Sequence, residues 1–157
     1  MLIPEKRAEF AKELMNTLDN KLDPVFVELI MQTRGHSCYD KHKQGMLGVV
    51  PDTVKNIHQF IDYLDKRWGS FPDGIVDGLK REGNVLTRRI SKCHCEYVNA
   101  SKDPIPKNYC NCSAGFYQSM FEEYIKKPVN VEIVTSIVSG GEKCEIKITL
   151  PPNLFEK

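Results

Sequence analysis

Four of the six cysteines fall in two C-x-C pairs, Cys93-His94-Cys95 and Cys110-Asn111-Cys112, with 14 residues between the pairs. On a strand, residues i and i+2 point to the same face, so each pair could aim two sulfurs at one point. The connection contains Pro104 and Pro106 and can fold the pairs together as a hairpin-like unit. Four thiolates converging in this way would make a tetrahedral site of the kind zinc takes when its role is structural. The spacing matches neither common ferredoxin pattern, which weighs against an iron–sulfur cluster. Cys112 stands at the expected start of a helix, where backbone N–H groups and the helix dipole favour a thiolate. The competing account is plainer: free cysteine is a small apolar side chain that is often simply buried, or a redox thiol.

The other two cysteines are less suggestive. Cys144 follows Gly140-Gly141 and shares a strand face with Ile146 and Ile148. It packs into a core, or it reaches the same metal as a substitute or neighbouring ligand from the last hairpin. Cys38 lies near His36 and His42, but the spacing is loose and a nucleophile needs a positioned base. Packing is the simpler reading there. His94 on a strand turns away from the two sulfurs beside it, and His58, next to Ile57 on an amphipathic helix, reads as an ordinary surface or core-edge histidine. The familiar hydrolase, metalloprotease, P-loop and dinucleotide motifs are absent from the sequence. No catalytic residue and no organic cofactor are therefore assigned.

Composition bounds the function from outside. The 157 residues are 41% hydrophobic and 27% charged, the balance of a globular protein, and they suffice for a single domain spanning 1–157. With 22 Lys+Arg against 21 Asp+Glu there is no global electrostatic case for a nucleic-acid partner. No apolar run reaches the roughly 20 residues a membrane helix needs. Charge enters early, at Glu5-Lys6-Arg7, without a signal-peptide core. A cytoplasmic, reducing setting is the expectation, and there clustered cysteines are ligands or redox groups more often than disulfides.

The elements that must position these thiols form an α+β sequence. Helices dominate residues 1–70. Phe10, Ala11, Leu14, Met15 and Leu18 make one apolar stripe behind Pro4. Asp23-Pro24 caps a second helix through Val25, Phe26, Leu29 and Ile30, which Gly35 is expected to close. A loop or short helix carries His36 to Gly48. Pro51-Asp52-Thr53 opens a third helix with Val54, Ile57, Phe60, Ile61, Leu64 and Trp68 inward. Gly69 to Gly83 reads as a connection. Asn84–Ile90 and Lys92–Val98 read as strands, and Ser113 as the cap of a helix through Phe116, Met120, Phe121 and Tyr124 that ends before Pro128. Alternation at 129–135 and 144–150, around Gly140-Gly141, specifies a hairpin. The expected architecture is a set of N-terminal helices packed with a small antiparallel sheet and one intervening helix, in the order strand, strand, helix, strand, strand.

Over residues 80–150 the chain resembles the 4-vinyl reductase domain family. The resemblance is carried by Tyr109-Cys110-Asn111-Cys112-Ser113-Ala114-Gly115, by Val129–Ser136, and by Gly140-Gly141-Glu142-Lys143-Cys144 running into Glu145-Ile146-Lys147-Ile148. It implies a small α+β, sensor-like domain that binds apolar small molecules, often as a homodimer, with a zinc near the pocket in aromatic-compound sensors. On that resemblance Cys110 matches the cysteine before the helix, Cys144 the one after the turn, and Glu132 lies near the acidic ligand's place. Ser136 replaces a strand cysteine of the zinc-bearing members, and Cys93, Cys95 and Cys112 are the thiolates available to make up the set. A fainter similarity is to 2-aminothiazoline-4-carboxylate hydrolases. The two resulting readings are a zinc-stabilised binder of an apolar or heterocyclic ligand and a thiol- or metal-dependent hydrolase of a small ring compound.

Overall fold

The computed structural model describes residues 3–69 and 75–155. In chain order these form α1 (Pro4–Lys21), α2 (Pro24–Met46), α3 (Ile57–Gly69), β1 (Ile75–Glu82), β2 (Val85–Ile90), α4 (Asn111–Ile125), β3 (Asn130–Thr135) and β4 (Cys144–Thr149). The strands make one sheet in the order β1-β2-β4-β3, antiparallel throughout. The α+β class and the intervening helix are as expected. α4 packs on β3, α3 packs on β1, and α2 crosses α4. The main core joins both halves of the chain, with Phe60, Leu64, Leu86, Met120, Phe121 and Ile148 all fully buried.

The second helix departs most from expectation. Asp23 caps it as expected, its Oδ1 accepting from Val25 N at 2.9 Å, with Pro24 in the first turn. Gly35 does not end it. That glycine is buried where α2 crosses α4, and a Cβ there would stand 2.8 Å from Phe116 N and press into the carbonyl oxygen of Cys112. Gly115 mirrors it, since a Cβ on that residue would meet the backbone of Gln32. The helix interior accepts the glycine, at a cost of about 1 kcal/mol against alanine, because only glycine lets the two backbones approach this closely. The terminator is Gly48, left-handed at φ 69°, and His36, Cys38 and His42 are helical as a result.

α3 starts at Ile57, six residues later than Pro51, because Asn56 is its working cap and accepts from Gln59 N at 3.0 Å. Of its expected inward face, Ile57, Phe60, Ile61, Leu64 and Trp68 are buried, whereas Val54 precedes the helix and is half-buried. Part of the stretch expected to be a connection is β1, while residues 70–74 of that stretch lie outside the described residues. β1 is joined to β2 through Gly83, at φ 60°. Lys92–Val98 is not a strand; the chain turns after Ile90. α4 begins at Asn111, so Ser113 lies inside its first turn rather than capping it, and Lys126 ends it in the left-handed conformation at φ 55°. The β3–β4 hairpin forms as read, pairing Val131 with Ile148 and Ile133 with Ile146.

α1 and α2 leave apolar surface uncovered. Ala11 and Met15 of the expected stripe are buried, but Phe10 and Leu14 are exposed, as are Val25, Phe26, Leu29 and Ile30 of α2. No helix of the described residues is long and apolar enough to cross a membrane.

Candidate functional site: a thiol-lined cavity

A cavity of about 360 Å³ opens between α2, α4, the sheet and the turns at 92–98 and 107–110, and all six cysteines line it. They arrive from five different local structures. Cys38 comes from α2, and Cys93 and Cys95 from the turn after β2. Cys110 closes a 3-10 turn, Cys112 lies in the first turn of α4, and Cys144 opens β4. Aromatic and aliphatic groups complete the wall, among them Tyr109, Phe116, Tyr117, Ile90 and Ile146. The volume lies at the lower end of the about 300–1,000 Å³ typical of ligand sites.

The five predicted ligands, Cys93, Cys95, Cys110, Cys112 and Cys144, thus share one cavity, although the strand geometry expected to bring the first pair there is absent. Their side chains do not converge on a point. Among the described residues no group of three or more His, Cys, Asp or Glu side chains is placed to hold a metal ion. Several thiols have other partners: Cys110 Sγ lies 2.8 Å from the buried Ser136 hydroxyl, Cys95 Sγ lies 3.7 Å from Tyr109 Oη, and Cys144 Sγ accepts from Ile137 N at 3.4 Å. As arranged, these side chains do not fit a zinc ion, which needs its thiolates at about 2.3 Å from a common centre.

Electrostatics follow burial. Desolvation pushes the Cys93 thiol up to about 11. It pushes Cys110 and Cys112 up to about 12, with neighbouring cysteines adding to the effect. The expectation that the start of α4 would favour a Cys112 thiolate is therefore reversed, because the cost of burying a charge outweighs the helix terminus. At neutral pH these three groups are uncharged and soft, and they contribute to an apolar lining. Tyr109 is likewise raised by burial, reinforced by Cys95.

The histidines divide. His36 shares a 2.6 Å hydrogen bond with Ser119 across the α2–α4 crossing, and His58 packs edge-on against Phe155, with ring centroids 5.4 Å apart. His42 lines the cavity. So does His94, because without a strand it is not turned away from its neighbouring sulfurs.

One residue on the wall went unrecognised in the sequence. Arg88 is only 3% exposed, on the inward face of β2 between Leu86 and Ile90. Its guanidinium carbon lies 3.7 Å from the Trp68 ring centre and 5.4 Å from that of Tyr117. Nη1 donates to Tyr117 Oη, whereas the buried Nε has no partner. No carboxylate among the described residues pairs with it. An unpaired buried charge costs several kcal/mol, and a desolvated cation–π contact returns about 2 kcal/mol. Tyr117 responds in kind, its phenol raised by burial against the opposing pull of Arg88. The parity of the strand was a usable signal, since Leu86, Arg88 and Ile90 alternate onto one face and place a cation where the pattern demands an apolar residue.

The chain belongs to a family of unknown function, DUF6144, whose model matches residues 3–155. No curated protein matches it in sequence. Among solved structures it is similar to a trafficking protein particle complex subunit 3 from Naegleria fowleri, covalently bound to palmitic acid. The TM-score there is 0.61 at 15% identity, covering 98% of both chains. It is also similar to the phenol-responsive sensory domain of the transcription activator PoxR, with phenol, at TM-score 0.48 and 14% identity, covering 94% of this chain and 74% of that one. A vinyl-4-reductase family protein from Methanocaldococcus jannaschii gives TM-score 0.40 at 15% identity, covering 95% and 82%. The first of these shows a shared fold; the expected tie to the 4-vinyl reductase family reduces to a weak likeness at the level of fold.

Proposed function

We propose that this chain is a cytoplasmic small-molecule-binding domain whose ligand occupies the thiol-lined cavity. The observation that carries the reading is the cavity itself, about 360 Å³, walled by aromatic rings and six thiols, Cys93, Cys110 and Cys112 among them held neutral by burial, with the buried cation Arg88 on its wall. A protein of the same fold, the Naegleria subunit, holds a palmitic acid, so the architecture can accommodate an apolar guest. Thermal melts with a panel of alkyl and aromatic compounds test this. Binders should raise the melting temperature, the stabilisation growing with the logarithm of ligand concentration over dissociation constant. A panel without effect at millimolar concentration overturns the reading, and consumption of a binder favours a hydrolase of a small ring compound instead.

A second reading keeps zinc. Its support is that Cys93, Cys95, Cys110, Cys112 and Cys144 all reach one cavity, so side-chain rotation could gather four of them. Near one zinc per purified chain, lost when Cys93 and Cys95 are both replaced by serine, would establish it. Metal-free protein of unchanged stability would remove it. The domain is further proposed to work as a homodimer through the exposed apolar faces of α1 and α2.

A further inference from the structure

The surroundings of Arg88 narrow the class of ligand. We infer that the bound molecule carries one carboxylate, paired with the Arg88 guanidinium, on an apolar body lying among Phe116, Ile146 and the thiols; this rests on the reading of the cavity as a ligand site. Trp68, 3.7 Å away, covers one face of the guanidinium, and Tyr117 takes Nη1. The side of the group bearing Nε is left without a partner. That side of a guanidinium is a planar fork, matched to the two oxygens of a carboxylate. Glu96 lies on the same cavity wall but is exposed and does not pair with the guanidinium. Lys92 and His94, also on the wall, are exposed and have contacts of their own. One buried cation in an apolar cavity suits a single carboxylate better than a phosphate, which calls for several donors. Stacking on Trp68 and the bond to Tyr117 hold the guanidinium in place before any ligand arrives, so little ordering remains to oppose binding.

The test compares acids with neutral analogues of the same body. Hexanoate, decanoate and 3-phenylpropanoate are titrated calorimetrically into the full chain beside the matching primary amides. In the wild-type protein the acid should bind at least about tenfold tighter than its amide, the range of a charge-assisted hydrogen-bonded pair. In Arg88→Met the ratio should fall to about one while the amide binds as well as before. Should that variant not fold, Arg88→Lys keeps the charge without the fork and should lose most of the preference. Equal affinity of acid and amide for the wild-type protein overturns the inference while leaving the cavity reading intact, as does a preference unchanged in a folded Arg88 variant. Absence of binding by every acid and every amide overturns both.

Discussion

Gly35 of α2 and Gly115 of α4 each face the backbone of the opposite helix across a single crossing. A Cβ on Gly35 would press on Cys112 and Phe116, and one on Gly115 on Gln32. The atoms in the way are main-chain atoms of a helix, which cannot swing aside as a side chain can. Either Gly→Ala change should cost at least about 1–3 kcal/mol, the range for overpacking. It should also widen the gap between Cys38 of α2 and Cys112 of α4, which line the cavity from the two crossing helices. Gly45→Ala is the control: nothing lies within 4 Å of its would-be Cβ, and a helical alanine should be neutral or stabilising by about 0.5–1 kcal/mol. Urea unfolding of the three variants checks this; similar stability in all three would show that the crossing is not tight.

Alkaline pH should weaken the fold in a defined direction. Burial, then the Glu123 carboxylate, holds the Tyr39 phenol well above its ordinary value, and burial raises Tyr117 despite Arg88. The unfolded chain ionises its tyrosines near about 10, so above that pH the folded state retains protons that the unfolded state has lost. The tyrosine contribution is thus fully present below about pH 10 and falls as pH rises towards the folded-state values, while the raised thiols of Cys93, Cys110 and Cys112 begin the same decline above about pH 8.5. Denaturant unfolding between pH 8 and about pH 11.5, with absorbance at about 295 nm following phenolate, should show the decline, shallower in Tyr39→Phe. Flat or rising stability contradicts it.

Lys126 terminates α4 at φ 55° without being glycine. A side-chain-bearing residue in that region costs roughly 1–2 kcal/mol, part of which glycine forfeits through its greater freedom when unfolded. Lys126→Gly should therefore raise the melting temperature modestly, and calorimetry that finds a lower one rejects the argument.

The exposed apolar face predicts association. Phe26 and Leu29 are 61% and 57% exposed, so Phe26→Glu with Leu29→Lys should leave the core untouched. Sedimentation at micromolar concentration should show the wild-type chain as a dimer and the double variant as a monomer of similar stability. A wild-type monomer removes the homodimer from the proposal.

What the sequence made legible was local. The α3 stripe and the β3–β4 hairpin were readable because their periodicities persist over full elements and Gly140-Gly141 marks the turn. β1 was not, since register shifts near Asp77 and Lys80 break the alternation that reveals a strand. Gly35 misled because a glycine that ends a helix and one that admits a neighbouring helix look alike until the partner, Gly115, is in place. The thiols share a cavity, yet not through the strand geometry expected, as Cys93 and Cys95 meet the others from a turn. Arg88 was visible by parity alone, but its stacking on Trp68 joins residues twenty positions apart through packing that no spacing rule encodes.

The bond between Asp65 and β1 has a consequence for how copies of this molecule can meet. β1 borders the sheet, and at its irregular stretch the Leu79 N–H donates to Asp65 Oδ1 of α3 at 2.6 Å. Gly78 beside it leaves room for the carboxylate, which would lie 3.1 Å from a Cβ there. A main-chain donor that could template an incoming strand is thereby satisfied from within the same chain. Borders left open invite edge-to-edge growth into fibrils, and natural sheets blunt them with bulges and charge. Here the register shifts of β1 and the Asp65 carboxylate act together at this border, which steers self-association away from it and towards contacts that can close.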